Sequence, residues 1–233
     1  MIFSANNKKV SNIPIHLNHH PINRVIKTKF LGVIIDYRLS WREHVNYTCN
    51  KLSKCFGILC KAKRILNRNT MINLYYTFIY PYYIYCNNIW GSTYKTHLDR
   101  LFILQKKFIR LITFSSYRSH TEPLFKETKI LTLYQINYFM NALFVYKFIN
   151  NELPHIFNDM FVFNHCIQLR QTRQSSHIRL PSFNIQATKH TLRYKGGHIW
   201  NNLPGSIKCA KSIGEFKRQL KHYLNDRNLH ATK

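Results

Sequence analysis

The sequence predicts a mainly α-helical protein of the α+β class, in which a short N-terminal β-hairpin precedes a helical bundle and a small basic C-terminal region. Hydrophobic residues make up 45% of the 233 residues and aromatic residues 15%, enough to build a substantial core. Apolar residues recur at helical spacing in several long segments, whereas short β-branched runs occur near the start. We therefore divide the chain into residues 1–39, 40–153 and 154–233.

The hairpin and the first helix have distinct local signals. Two β-branched runs, residues 13–17 and 30–35, are separated by a polar turn at residues 18–21, which predicts one hairpin. Ser40 and Glu43 have the spacing of a capping box, so the first helix should start at Trp41. Apolar residues recur every three or four positions along one face of this helix, and Lys51, Lys54 and Lys61 lie roughly opposite that face.

Four further segments complete the predicted architecture. Residues 70–90 should form a helix bent at Pro81, because proline removes a hydrogen-bond donor. Residues 96–113 are predicted to form a third helix, and Thr132 with Gln135 should cap a fourth that ends near residue 150. Residues 165–195 are predicted to be an irregular basic connector. Ser212, three residues before Glu215, should cap the last helix.

The charge of the chain points to a polyanionic partner. Thirty-five Lys and Arg residues against nine Asp and Glu residues give a formal net charge of +26. Nucleic acid fits best, since each phosphate contact releases counterions irrespective of base sequence. A membrane is disfavoured because the most apolar stretch, residues 74–90, contains six tyrosines, two asparagines and a proline, unlike an apolar run of about 20 residues. We also expect no small-molecule substrate.

The chemistry-bearing residues predict neither a metal site nor a catalytic site. The six cysteines lack CxxC pairing, and neither His19-His20 nor His165-Cys166 has a partner at ligand spacing. Two-metal nucleotidyl transfer needs two or three converging carboxylates, but no two of the nine acidic residues are adjacent. No secretory signal is visible at the N-terminus, which predicts an intracellular protein.

Several short motifs occur in the same order as in a known protein family. They are Lys29-Phe30-Leu31-Gly32-Val33, Leu39-Ser40-Trp41, Tyr80-Pro81, Trp90-Gly91, Leu104-Gln105-Lys106-Lys107, Trp200-Asn201 and Leu203-Pro204. In this order they resemble the primer-grip region, the thumb and the C-terminal segment of non-LTR, jockey-like retrotransposon reverse transcriptases. The resemblance covers about residues 1–226.

The resemblance implies a part of an RNA-directed DNA polymerase that binds template and primer without polymerising. In the family, the palm aspartates that bind Mg²⁺ lie upstream of the matched segment, so no cofactor is expected for this chain. Met1 would then be an internal methionine of a longer reading frame. The expected partners are RNA, an RNA–DNA duplex and the palm-containing segment, and the expected compartment is the nucleus. Two alternatives are an inactive transposon relic and a basic chromatin- or ribosome-associated protein.

The candidate binding residues combine the resemblance with the charge pattern. The resemblance implies that Phe30, Leu31 and Gly32 place the primer end, although an ordinary β-strand would explain these residues equally well. For a single lysine, a solvated helix face remains the alternative. The full set of candidates is Lys27, Lys29, Phe30, Leu31, Gly32, Lys51, Lys54, Lys61, Arg64, Lys106, Lys107, Arg110, Lys217 and Lys221.

Overall fold

The N-terminal region contains two antiparallel hairpins rather than one. The computed structural model describes residues 1, 3, 14–167, 174–182 and 186–226. Strand β1 (Ile15–Leu17) pairs with β2 (His20–Ile22), and β3 (Lys27–Phe30) pairs with β4 (Val33–Asp36). The predicted pairing of residues 13–17 with residues 30–35 is therefore wrong, and residue 13 itself lies outside the described residues.

Turn geometry explains why each hairpin closes on itself. Both turns contain two residues with positive φ, namely Asn18 (48°) and His19 (66°) in the first, and Leu31 (44°) and Gly32 (81°) in the second. Two positive φ values are the signature of the turn whose twist matches two-residue hairpins. Residues 30–35, which looked like one strand, therefore contain a turn.

Helix α1 (Arg42–Ala62) begins one residue after the predicted start, and its cap differs from the prediction. Trp41 occupies the N-cap position without a side-chain cap, so the predicted Ser40–Glu43 capping box is wrong. The Asp36 carboxylate accepts hydrogen bonds from the backbone N–H groups of Ser40 and Trp41, both at 3.1 Å. Asp36 thus fixes the turn between β4 and α1, and Glu43 is free to pair with Lys27.

The segment predicted as one bent helix is divided into four pieces. These are α2 (Arg68–Leu74), a π-helical turn (Tyr75–Ile79), α3 (Tyr80–Ile84) and α4 (Asn87–Trp90). Pro81 stands in the first turn of α3, directly after the π-helical turn, where its missing donor costs little. The chain breaks after α3 instead, because Tyr85 is extended and Cys86 has a φ of 48°.

Three further helices build the middle of the molecule. Helix α5 (Lys95–Ile112) packs along α1, and α6 (Thr121–Thr128), which was not predicted, packs on α5. Helix α7 (Leu133–Ile149) follows the predicted capping box, since Thr132 accepts from the Gln135 N–H and the Gln135 side chain accepts from the Thr132 N–H. The predicted start and end of this helix are confirmed.

The C-terminal region packs onto the bundle through α7. Three 3₁₀ turns (His155–Phe157, Asn164–Cys166 and Gln186–His190) lead into α8 (Leu192–Asn201), α9 (Gly205–Lys208) and α10 (Ile213–Asp226). Ser212 caps α10 by accepting the Glu215 N–H at 3.2 Å, as predicted. Phe216 is fully buried, with its ring 4.2 Å from that of Tyr146 on α7.

Two glycines explain why α8 was missed. A β-carbon at Gly196 would lie 3.0 Å from a Val145 methyl group, and one at Gly197 would lie 3.0 Å from a Leu180 methyl group. Glycine lets α8 approach α7 closely, although it lowers the helix propensity that sequence reasoning uses. The predicted irregular connector therefore ends at Thr191, and its residues 168–173 and 183–185 lie outside the described residues.

Candidate nucleic-acid interface

The turn of the β3–β4 hairpin projects beside the end of α3. Phe30 and Leu31 are 62% and 73% exposed. The Tyr85 hydroxyl donates a hydrogen bond to the Leu31 carbonyl, and a β-carbon at Gly32 would lie 3.4 Å from the Tyr85 ring. The glycine supplies the positive φ that the turn requires, and Tyr85 fixes the turn against the helices.

Lysines from the hairpin and from α1 converge on Tyr47. The Lys29 Nζ donates to the Tyr47 hydroxyl at 3.2 Å and lies 5.1 Å from the ring centroid. The Lys51 Nζ lies 5.6 Å from the same centroid. The hydrogen bond from Lys29 lowers the pKa of Tyr47, and the charges of Lys29 and Lys51 add to this effect. Lys27 differs from these two, because its ammonium pairs with Glu43 at 2.9 Å.

The exposed face of α1 extends this basic surface away from the hairpin. We call Tyr47, Lys51, Lys54, Ile58 and Lys61 the α1 stripe, since they recur at spacings of four and three residues and so share one face. Its three lysines are exposed, and Ile58 is 65% exposed. At a rise of about 1.5 Å per residue the stripe is about 21 Å long.

Charge on the α1 stripe is not neutralised within the described part of the chain. The lysine and arginine ion pairs found there join Lys27 to Glu43, Arg68 to Glu127 and Lys126 to Glu122, and the His222 imidazole lies 2.9 Å from the Asp226 carboxylate. None of them involves a lysine of the stripe. Arg64 is also exposed, in the turn after α1. The structure therefore places Lys27, Lys29 and Lys51 along the first half of α1, beside the hairpin that carries Phe30, Leu31 and Gly32 at its turn, with Lys54, Lys61 and Arg64 further along.

The remaining candidates lie on α5 and α10 and make contacts of their own. The Lys106 Nζ lies 4.4 Å from the Phe102 ring centroid, and Lys107 is half-buried. The Arg110 Nε donates to the Ser119 carbonyl at 2.8 Å, which holds the loop before α6. On α10, Lys217 is exposed, and the Lys221 Nζ lies 5.7 Å from the Tyr76 ring centroid. These five residues remain candidates.

Beside the hairpin an open cleft of about 530 Å³ lies between β3–β4, α1 and α3, and sequence reasoning did not predict it. His44 is buried at its base, which lowers the pKa of this histidine to about 4. Its Nδ1 accepts the Ile34 N–H at 3.3 Å, an arrangement that requires the neutral imidazole. Residues lining the cleft include Gly32, His44, Tyr47, Tyr82, Tyr85 and Cys86.

Among the residues that the structure describes, no group of three or more His, Cys, Asp or Glu side chains could hold a metal ion. No helix in the same residues is both long enough and apolar enough to cross a bilayer.

Comparison with known proteins gives relatives of one kind. The chain is 26% identical over 125 residues to a probable RNA-directed DNA polymerase from transposon X-element of Drosophila melanogaster. It is 25% identical over 126 residues to the corresponding protein of transposon BS, and 24% identical over 118 residues to the RNA-directed DNA polymerase from mobile element jockey of Drosophila funebris.

These matches cover 49% to 52% of this chain but 13% or 14% of each relative, so the chain spans a small part of their length. No family model matches the chain, and no solved structure matches it. The resemblance drawn from the motifs is confirmed by these relatives: over about half its length, the chain is similar to the reverse transcriptases of jockey-like non-LTR transposons.

Proposed function

We propose that this chain binds RNA or an RNA–DNA duplex, without sequence preference, as part of a retrotransposon RNA-directed DNA polymerase acting in the nucleus. The observation that carries the proposal is the α1 stripe, which continues from the lysines of the β3–β4 hairpin and has no paired carboxylate among the described residues. The similarity to RNA-directed DNA polymerases supports nucleic acid as the partner class.

The dimensions of the stripe suit a phosphate backbone. Consecutive phosphates of one strand are about 3.4 Å apart along the axis of B-form DNA and closer in A-like duplexes, so a stripe of about 21 Å spans roughly six nucleotides or slightly more. The lysine ammonium groups contact phosphates, while Ile58 and Tyr47 offer apolar surface to the sugars between them. Such contacts fix the position of the duplex and read no sequence.

In this proposal the chain binds the nucleic acid and does not itself catalyse nucleotidyl transfer. The carboxylates and the Mg²⁺ ions of nucleotidyl transfer belong to a palm segment elsewhere in the polymerase, and this chain needs no cofactor of its own. The hairpin tip, with Phe30 and Leu31 exposed and Gly32 bringing the backbone close, contacts the primer end.

A salt titration of binding tests the proposal. Affinity of the full chain for a labelled duplex is measured by fluorescence anisotropy between about 50 and 200 mM salt, on two unrelated sequences. We expect equal affinities for the two sequences and a steep linear fall of log K with log salt concentration. Absence of binding at low salt, or binding that does not respond to salt, would refute the proposal.

A triple variant locates the contacts. For Lys51→Gln, Lys54→Gln and Lys61→Gln together, the salt slope on the RNA–DNA duplex should fall by about 2 to 3, since each lost phosphate contact is worth about 0.7 to 0.9. The matched control is the combined replacement of three exposed lysines outside the candidate set, Lys95, Lys129 and Lys211, by Gln. The control has the same net charge, so an equal loss of slope in both proteins would argue against the stripe.

A further inference from the structure

The cleft beside the hairpin has two kinds of wall. One wall is aromatic and apolar, formed by Tyr82 and Tyr85 near the end of α3 and by Tyr47 on α1. The other wall is positively charged at its rim, because the ammonium groups of Lys29 and Lys51 lie 5.1 and 5.6 Å from the Tyr47 ring centroid. An aromatic cleft with cations at one edge matches a ligand that has a flat ring and an anionic group attached to it.

We propose that this cleft binds one unpaired nucleotide, whose base stacks on the tyrosines while its phosphate contacts Lys29 and Lys51. The inference rests on the proposed function and deepens it, since it names a feature of the nucleic acid that the chain distinguishes. Every base has a π-face, so stacking of this kind tolerates any sequence.

Volume and rigidity support a nucleotide as the occupant. A cleft of about 530 Å³ lies within the range of about 300–1,000 Å³ that small-ligand sites occupy. Its hairpin wall is held in place, because the Tyr85 hydroxyl donates to the Leu31 carbonyl. Gly32 also lines the cleft, and it leaves room there that a side chain would fill.

The base must be unpaired for this contact to form. Within a duplex each base is stacked on its neighbours, whereas an overhanging or looped-out base can offer a free face to an aromatic ring. The α1 stripe begins at Tyr47, so a strand whose phosphates follow the stripe would deliver its last nucleotide to the cleft. The α1 stripe and the cleft would therefore bind the same continuous strand.

Three RNA–DNA duplexes test the inference with the full, unmodified chain. The first is blunt, the second carries one overhanging 3′ adenosine nucleotide, and the third carries an abasic overhang of the same length and charge. We expect the adenosine overhang to bind roughly 5- to 150-fold more tightly than the abasic overhang, the range found for stacking of one base on an aromatic side chain. Equal affinity for the adenosine and abasic overhangs would overturn the inference.

Protein variants test whether the preference for the adenosine overhang depends on the cleft. Tyr82→Ala should abolish the preference for the adenosine overhang, whereas Tyr47→Phe should retain it because the ring remains. The matched control is Tyr117→Ala, which removes a tyrosine that is 76% exposed outside the cleft. A preference that is equally strong in Tyr82→Ala and Tyr117→Ala would contradict the assignment. If Tyr82→Ala fails to fold, the abasic comparison on the unmodified chain still decides.

The blunt duplex separates this inference from the proposed function. Salt-dependent binding of the blunt duplex, with equal affinity for the adenosine and abasic overhangs, would leave the proposed function intact. It would overturn only the inference that the cleft binds an unpaired nucleotide. Failure to bind any of the three duplexes would overturn both.

Discussion

Replacement of Gln105 should destabilise the protein more than any lysine replacement. This glutamine is fully buried on α5, and its amide makes three hydrogen bonds. Its Nε2 donates to the Tyr75 hydroxyl at 3.1 Å and to the Leu131 carbonyl at 3.0 Å, while its Oε1 accepts the Leu133 N–H at 2.7 Å. The side chain thus joins α5 to the π-helical turn and to the start of α7.

The magnitude follows from the groups left behind. Gln105→Leu keeps the volume of the side chain but leaves a hydroxyl, a carbonyl and an N–H group without this partner, each costing about 1–3 kcal/mol when buried. Local relaxation recovers part of the sum, so we expect a loss of about 3 kcal/mol or more in the free energy of unfolding. For a chain of this size, that loss lowers the Tm by about 6–12 °C.

Urea and thermal denaturation of the two proteins measure this loss. The matched control is Gln219→Leu, because the Gln219 amide donates to Glu215 and its Oε1 is buried with no hydrogen-bond partner among the described residues. The control should change stability by less than about 1 kcal/mol. An unchanged midpoint in Gln105→Leu would refute the reasoning, and a gradual, non-cooperative transition of the unmodified chain would favour the relic alternative.

Two further predictions concern pH and the C-terminal helix. Burial lowers the pKa of His44 to about 4 in the folded protein, so unfolding takes up a proton between about pH 6.5 and 4. Stability should therefore be full above pH 6.5 and fall by up to roughly 3 kcal/mol towards pH 4, a dependence that His44→Gln should weaken in urea titrations at each pH. Phe216→Ala should cost about 3–5 kcal/mol, because it removes a fully buried ring stacked on Tyr146, and Lys217→Ala on the exposed face of α10 serves as its control in thermal melts.

Helices with strong caps could be predicted from the sequence, whereas pairings between elements could not. The caps at Thr132 and Ser212 are local, so three or four residues determine each. The cap of α1 is different, because Asp36 reaches it from the preceding strand. Helix α8 was missed for a similar reason: Gly196 is explained by its contact with Val145, which lies 51 residues earlier in the sequence.

In the candidate interface, too, residues related by local periodicity could be predicted, whereas residues related by contacts between distant elements could not. The lysines of α1 follow from helical periodicity, and they lie on one exposed face as predicted. Tyr47 could have been found by the same periodicity, since it precedes Lys51 by one turn. Tyr85 could not, because its contact with Leu31 joins residues 54 positions apart and depends on how α3 ends. Whether the candidate lysines bind nucleic acid stays a prediction.

Lysine footprinting tests the central claim most directly. The full chain is acetylated briefly with and without a saturating RNA–DNA duplex, and the modification of each lysine is measured by mass spectrometry. We expect strong protection of Lys29, Lys51, Lys54 and Lys61, with the exposed Lys95, Lys129 and Lys211 modified at unchanged rates. Equal modification of all these lysines, or protection confined to the second group, would contradict a nucleic-acid interface on the hairpin and the α1 stripe.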